Sequence, residues 1–485
     1  MADTVLFGNS MSDFSSQKED HMFVQKELQY ISDNNNKNFS RNQIDFDTIT
    51  LSNNGRWVDY QNGYITVPCS IALNSDSVAT VDDAMNAIRM KNDLALIDSV
   101  SVIYNNSTMV QESSEFVSYP IFNQHTHLGQ DDLNRADLYG YAKDSPAYGF
   151  NAGAGLVNSS SVSAHSTRLQ SPWQTEVAGV LSTKDIENSG GNYANKAGNT
   201  TTFRYNAKIM LKDLPFFGKL PLLKGSNIRL TLRLNQGSVT TTTTAGGVST
   251  VVPNLKGSAF PVMRLDCPVD SVETITFDVV ETCRLYVPVY QMADSFESQY
   301  LSLGTKKVVY DDLYINHIRL KQKGAFHNLI TNGLSRTKRL IVVPMLGKST
   351  NTSGVLPTES PLCSAPATVS PYYARLNVKI SGRNVYPQNV EYKYEHFTNE
   401  LNGKYSENGG MIRGASSGLI SFKDYQSTYG YFVVDLSRRH AEDDNTPLSL
   451  ELFGDVQSAI MDFLCIVEYE KDCMINVSTG QLLSA

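Results

Sequence analysis

Apolar and polar residues alternate strictly along two stretches that lie far apart in the chain. In Ser226–Asn235, Ile228, Leu230, Leu232 and Leu234 fall on one side of an extended backbone, and Arg229, Thr231 and Arg233 fall on the other. In Thr446–Gly454, Leu448, Leu450 and Leu452 repeat the pattern. A period of two sends successive side chains to opposite faces, so each stretch predicts a half-buried strand. Each also closes one of two similar-sized halves.

Shorter runs of the same kind fill both halves. The first carries Tyr64–Val67, Asp98–Tyr104 and Phe203–Leu211, and in the last of these Phe203, Tyr205, Ala207, Ile209 and Leu211 alternate without a break. The second carries Ile275–Val279, Cys283–Val287, Ile315–Leu320, Leu340–Leu346, Leu376–Ile380, Tyr431–Leu436 and Ile460–Tyr469. Leu340-Ile341-Val342-Val343 is apolar on both faces and predicts a central strand covered on both sides. About eight strands in one half suit two antiparallel sheets packed face to face, as in a jelly roll. The expected fold class is all-β: two tandem jelly-roll β-sandwiches with short helices and long loop insertions.

Interruptions of the pattern set the expected boundaries. Residues 1–50 are polar and read as an N-terminal arm. Residues 51–260 form the first jelly roll, with a Gly/Ser/Asn-rich insertion at about 145–199 and a Thr- and Gly-rich linker at about 236–256. Residues 261–485 form the second. Thr80-Val81-Asp82-Asp83 resembles a capping box, and Met85, Ile88 and Leu94 give the helix it predicts one apolar face. A second short helix is expected around Asp131–Ala142.

Composition narrows the function classes. A chain of 485 residues exceeds one ordinary core. The net charge of −8 and pI of about 5.6 lack the basic footprint of phosphate binding. No stretch approaches the roughly 18 apolar residues of a membrane span, and the N-terminus MADTVLFGNS lacks the basic and apolar regions of a secretory signal. Cys69, Cys267, Cys283, Cys363, Cys465 and Cys473 are scattered without a Cys-x-x-Cys pair, which predicts free thiols in a reducing compartment.

Candidate chemistry is sparse. His125-Thr126-His127 is the one close histidine pair; on a strand both rings would share a face, but two ligands do not make a metal site. Asp131-Asp132, Asp311-Asp312 and Glu442-Asp443-Asp444 are expected as caps, turns and solvated edges rather than acid–base pairs. Gly153-Ala154-Gly155 lacks the third glycine of a dinucleotide fingerprint, and no serine sits in Gly-x-Ser-x-Gly. The mixed-charge, aromatic stretch Arg383–Phe397 suits protein–protein contact better than base stacking. No catalytic, cofactor-binding or metal-ligating residue is assigned, and no enzyme activity is expected.

Four blocks carry a resemblance. They are Asp82–Asn106, ending LIDSVSVIYNN; Lys208–Asn235, where an aromatic pair precedes a Leu-Pro-Leu-Leu turn and the alternating Arg/Leu strand; Phe326–Leu346, with KRLIVVPML after Asn332-Gly333-Leu334-Ser335; and Leu376–Glu395 followed by Tyr429–Tyr469, which includes YFVVDLS. In this order the chain resembles the double jelly-roll major capsid proteins of virophages, polinton-like viruses and adintoviruses. The resemblance implies a homotrimeric, pseudo-hexagonal, hexon-like capsomer that tiles an icosahedral shell around a double-stranded DNA genome. It further implies a virion location after synthesis inside the host cell, neighbouring capsomers and minor or penton capsid proteins as partners, no sequence-specific nucleic-acid binding, no membrane span and no cofactor. Two alternatives are a minor or penton capsid protein and a glycan-binding β-sandwich. The latter is weakened by having two tryptophans alone, Trp57 and Trp173.

Overall fold

The computed structural model describes residues 22–34, 43–52, 55–75, 88–90, 97–105, 108–114, 118–129, 150–151, 155–156, 193–197, 200–234, 237–244, 248–252, 262–264, 272–279, 281–302, 304–320, 322–346, 374–406, 417–427, 429–437, 446–457 and 461–484. Most of them are strand. The first half is built on β1 (Phe23–Ser32), β2 (Gln43–Asp47), β3 (Tyr64–Ser75), β4 (Ile97–Tyr104), β5 (Thr108–Ser114), β6 (Thr200–Met210), β7 (Ile228–Leu234) and β8 (Arg284–Met292). One sheet runs β1-β8-β3-β6 and the facing sheet runs β2-β7-β4-β5, with every pairing antiparallel.

The second half repeats the plan. Its strands are β9 (Thr305–Arg319), β10 (Gly324–Leu334), β11 (Thr337–Leu346), β12 (Ala374–Ile380), β13 (Arg383–Asn384, resumed at Val390–Glu391), β14 (Phe432–Asp435), β15 (Leu448–Val456) and β16 (Met461–Asn476). Their sheets run β9-β16-β11-β14 and β10-β15-β12-β13. Strand for strand this is the order of the first half, and both are jelly rolls.

The sequence pattern places the core. In β7, Ile228, Leu230, Leu232 and Leu234 are buried while Arg229 and Arg233 are exposed. Burying each such side chain stabilises the fold by roughly 1.5–3 kcal/mol. In β15, Leu448, Leu450 and Leu452 are buried and alternate with half-buried Ser449, Glu451 and Phe453. Leu340–Val343 lies between β14 and β16, and all four residues are buried, as a doubly covered central strand requires. Cys69, Cys283, Cys465 and Cys473 are buried free thiols, and burial pushes the Cys473 thiol up to about 11.

The boundaries need correction. The expected linker at 236–256 contains the hairpin Gly237–Thr244 and Val248–Val252, which joins the first sheet through Val272–Val279 beside the far end of β3. Val272–Val279 and Arg284–Met292, expected in the second jelly roll, therefore belong to the first. The expected arm is also partly strand: β1 pairs with β8 from Phe23↔Met292 to Ser32↔Arg284, and β2 buries Ile44 and Phe46 against β7.

Of the expected helices, Asp131–Ala142 lies outside the described residues. So do residues 80–87 of the capping-box helix, while Ile88–Met90 is a strand paired with Val262–Arg264. Most of the 145–199 insertion also lies outside them, and its end, Tyr193–Ala197, is a strand paired with β6.

Backbone approach inside the second jelly roll is close enough to exclude a side chain at one point. A Cβ added at Gly454 on β15 would stand 2.1 Å from the Arg375 carbonyl oxygen on β12, whereas at Gly333 on β10 it would meet nothing within 4 Å. Gly454→Ala is expected to destabilise the protein by about 1–3 kcal/mol, as overpacking does, and Gly333→Ala to be close to neutral. Equal melting midpoints for the two variants in circular dichroism would contradict this packing.

Candidate assembly interface

Among the described residues, the side chains singled out for chemistry do not converge. His125 and His127 lie on helix α1 (Ser118–His127), not on a strand. Two residues advance a helix by about 200°, which sends the two rings to different sides. His125 is buried with Nδ1 2.8 Å from the Tyr431 hydroxyl, while exposed His127 has Nδ1 3.2 Å from the Asn123 carbonyl. Among the described residues no cluster of His, Cys, Asp and Glu could hold a metal ion.

Asp311 and Asp312 sit within strand β9, not in a turn. Lys338 Nζ lies 2.5 Å from Asp311, and Asp312 accepts from the Tyr469 hydroxyl at 3.0 Å with Lys471 Nζ 3.6 Å away. They belong to a network of ion pairs along β9, β11 and β16 that also joins Arg336 and Lys307 to Asp472. Asp131-Asp132, Glu442-Asp443-Asp444, Gly153-Ala154 and Trp173 lie outside the described residues. Trp57 is buried with Nε1 donating to Glu297, so it offers no sugar platform.

Arg383–Phe397 divides by face. Arg383, Asn384, Glu391, Lys393 and Glu395 are exposed, but Tyr392 and Phe397 are core residues, and the Tyr392 hydroxyl donates to the Val433 carbonyl. The stretch is thus only in part exposed, because helix α2 (Tyr394–Ser406) begins inside it and turns its apolar side inward.

What the fold does assemble is a seam between its two barrels, and one apolar core runs through both. Tyr310 on β9 crosses to the first barrel, packs edge-on against Phe216 at 5.2 Å and donates its hydroxyl to the Val110 carbonyl on β5 at 2.8 Å. Burial pushes the Tyr310 hydroxyl well above its ordinary value, so it remains a donor.

Farther along, α1 leaves the first barrel after β5 and lies on the outer face of the second. There the Tyr119 hydroxyl donates to Glu468 at 3.1 Å, the Arg339 guanidinium meets Glu468 at 2.9 Å, and Arg339 stands over the Phe122 ring at 5.5 Å. Burial and the Glu468 carboxylate raise the Tyr119 hydroxyl, which keeps it protonated. Phe122 meets Tyr431 edge-on at 5.1 Å. Backbone seals the contact: the Leu419 N–H donates to the His125 carbonyl at 2.9 Å, and a Cβ on Gly418 would lie 2.4 Å from the Thr126 carbonyl carbon.

None of α1 was expected from the sequence. Its signal is the spacing of Tyr119, Phe122 and Thr126, one face at helical intervals, with Pro120 tolerated in the first turn.

No family model matches the sequence, and no curated protein does. Solved structures do. A chain of the Sputnik virophage structure matches over 98% of this chain and 91% of that one, with a TM-score of 0.52 and 11% identity. The mavirus major capsid protein matches over 99% and 93% (TM-score 0.48, 12% identity), and the Faustovirus major capsid protein over 96% and 92% (TM-score 0.47, 11% identity). At such identities the likeness is one of fold. The chain has a double jelly-roll fold, and its likeness in fold to the Sputnik virophage chain covers nearly its whole length.

The buried ion pair and a buried carboxyl of the first barrel each give a prediction. Glu468→Leu leaves the buried Arg339 charge uncompensated and is expected to cost about 3–5 kcal/mol in denaturant unfolding. Adding Arg339→Met should restore most of it; a double variant as weak as the single would show that the pair is not the unit. Asp213, beside the aromatic pair Phe216-Phe217, has its carboxyl pushed up to about 6 by burial, with Lys212 opposing. Its folded value exceeds the unfolded one of about 3.9. The ionisation penalty is therefore absent below about pH 4 and complete above about pH 6. Asp213→Asn should raise the melting midpoint at pH 7.5 and match the parent at pH 4.

Proposed function

We propose that this chain is a major capsid protein. Three copies form a pseudo-hexagonal capsomer from six jelly rolls, and capsomers tile an icosahedral shell around a double-stranded DNA genome. The observation that carries this reading is the repeated strand order: two barrels of identical plan, joined side by side through a buried seam, give each chain two neighbouring positions of a six-membered ring. A chain of this kind works by contact, not by catalysis. Its partners are copies of itself and the proteins that fill the remaining shell positions, and its place is the virion.

Physical arguments favour this over a catalytic or lectin role. The buried ion pair, the His125–Tyr431 contact and Trp57 all serve packing between parts of the chain. The acidic charge of −8 leaves the genome to be enclosed rather than neutralised. No described helix is long and apolar enough to cross a membrane. Within the chain we place the division of the two barrels at the helix Asp294–Ser302, which follows the last strand of the first and precedes the first strand of the second.

The test is oligomeric state. Purified protein is expected to have a native mass near three times 53.6 kDa and to show hexagonal outlines in negative stain. A monomer at micromolar concentration would remove the assembly reading.

A further inference from the structure

The two barrels share a plan but not a covering. In the second barrel, the outer face of β9-β16-β11-β14 carries Ile341, Val343, Leu464, Ile466, Arg339 and Glu468, all buried. Part of that cover is α1, which comes from the segment after the fifth strand of the first barrel. Among the described residues, the matching face of the first barrel, on β1-β8-β3, is open at β1 and half-buried on β8 and β3. Leu28 and Tyr30 on β1 stand opposite Pro288 and Tyr286 on β8, and Tyr64 on β3 follows Tyr286. Leu28 is 55% and Tyr30 59% exposed.

These rings form a ladder across three strands, with Tyr30–Tyr286 at 5.7 Å and Tyr286–Tyr64 stacked at 5.0 Å. Arg284 stands over Tyr30 at 5.3 Å and Lys208 over Tyr64 at 4.0 Å. β1 is also the last strand of its sheet. An apolar, ring-lined face at an open sheet edge is an association surface.

Its counterpart sits at the other end of the chain. The segment after the fifth strand of the second barrel carries α2 and then the short helix α3 (Phe422–Ser427), whose Phe422 is 56% exposed. A contact between unlike surfaces, used once between the barrels of one chain, leaves one half of itself unused at each end. Repetition from chain to chain closes a ring or grows a filament.

We propose that the open face of β1-β8-β3 is covered by a second copy of this chain, which lays the exposed side of α3, Phe422 foremost, over Leu28, Tyr30 and Tyr286, while α2 stays docked on its own β14. This contact rests on the capsomer reading above and specifies the surfaces that build it. It repeats between chains what α1 does within one, although the two covering segments differ in sequence.

Two variants and their mixture test it: the double substitution Leu28→Asp, Tyr30→Asp, and the single Phe422→Asp. All three positions are exposed, so each variant is expected to keep the parent's circular dichroism and melting midpoint. Each should fall from three times the chain mass to one. Mixed in equal amounts, the two should give a one-to-one pair and no ring, since each supplies the surface that the other lacks. A trimeric parent whose variants both remain trimeric overturns the proposal and leaves the capsomer intact. Monomeric variants that fail to pair on mixing also overturn it, because they show that the two surfaces do not complete each other. A monomeric parent removes the capsomer reading itself.

Discussion

Everything in this molecule is organised around the contact between its barrels, and that contact is built from groups that tolerate little adjustment. β9 and β16 are the longest strands described, at 15 and 16 residues. Phe463, early in β16, stacks on Phe326 of the facing sheet, whereas Tyr310 on β9 reaches Phe216 and Val110 of the other barrel. One sheet thus packs into both barrels. The relative placement of the barrels is fixed by continuous strand, with ring contacts and a buried charge pair that holds only at the correct geometry.

A second small cluster braces the far side of this joint. Trp57, Met292 and Val477 are buried together, with Phe23, Tyr290 and Tyr300 packed against them. Glu297 on the helix between the barrels accepts from Trp57 and pairs with Lys224 at 2.8 Å. Gly480 approaches so closely that a Cβ there would lie 2.4 Å from the Ser226 nitrogen, and its φ of +64° suits glycine. With both sides of the joint held, the chain presents its remaining surfaces at set angles.

How far this could be read from the sequence depended on which face of each strand is apolar. β7 and β15 announce themselves because one face is buried and the other wet, and β11 because both faces are covered. β1 does not: on its core side, Glu27 and Gln29 are polar and half-buried, while Leu28 and Tyr30 point outward, so the usual stripe is reversed and reads as irregular. β2 is too short to show a period, though Ile44 and Phe46 are fully buried. The division between barrels was misplaced for a related reason. β8 pairs with β1 across most of the first half, and nothing local in 284–292 tells which barrel will claim it. The seam was legible only as scattered aromatics, since Tyr119, Phe122 and Tyr310 acquire partners through the fold.

The pairing of β1 with β8 also has a bearing on how the protein is made. Phe23 emerges from the ribosome early, but its partner Met292 is synthesised much later, after a delay on the order of tens of seconds at ordinary elongation rates. During that interval the first barrel lacks the strand that joins β1 to β3, and Leu28, Tyr30 and their neighbours are open to any passing chain. Nascent chains on one messenger are crowded at just this stage. Holding β1 apart from its siblings until β8 arrives is therefore a task for chaperones or for wide spacing of ribosomes, and it falls on the cell that makes the protein.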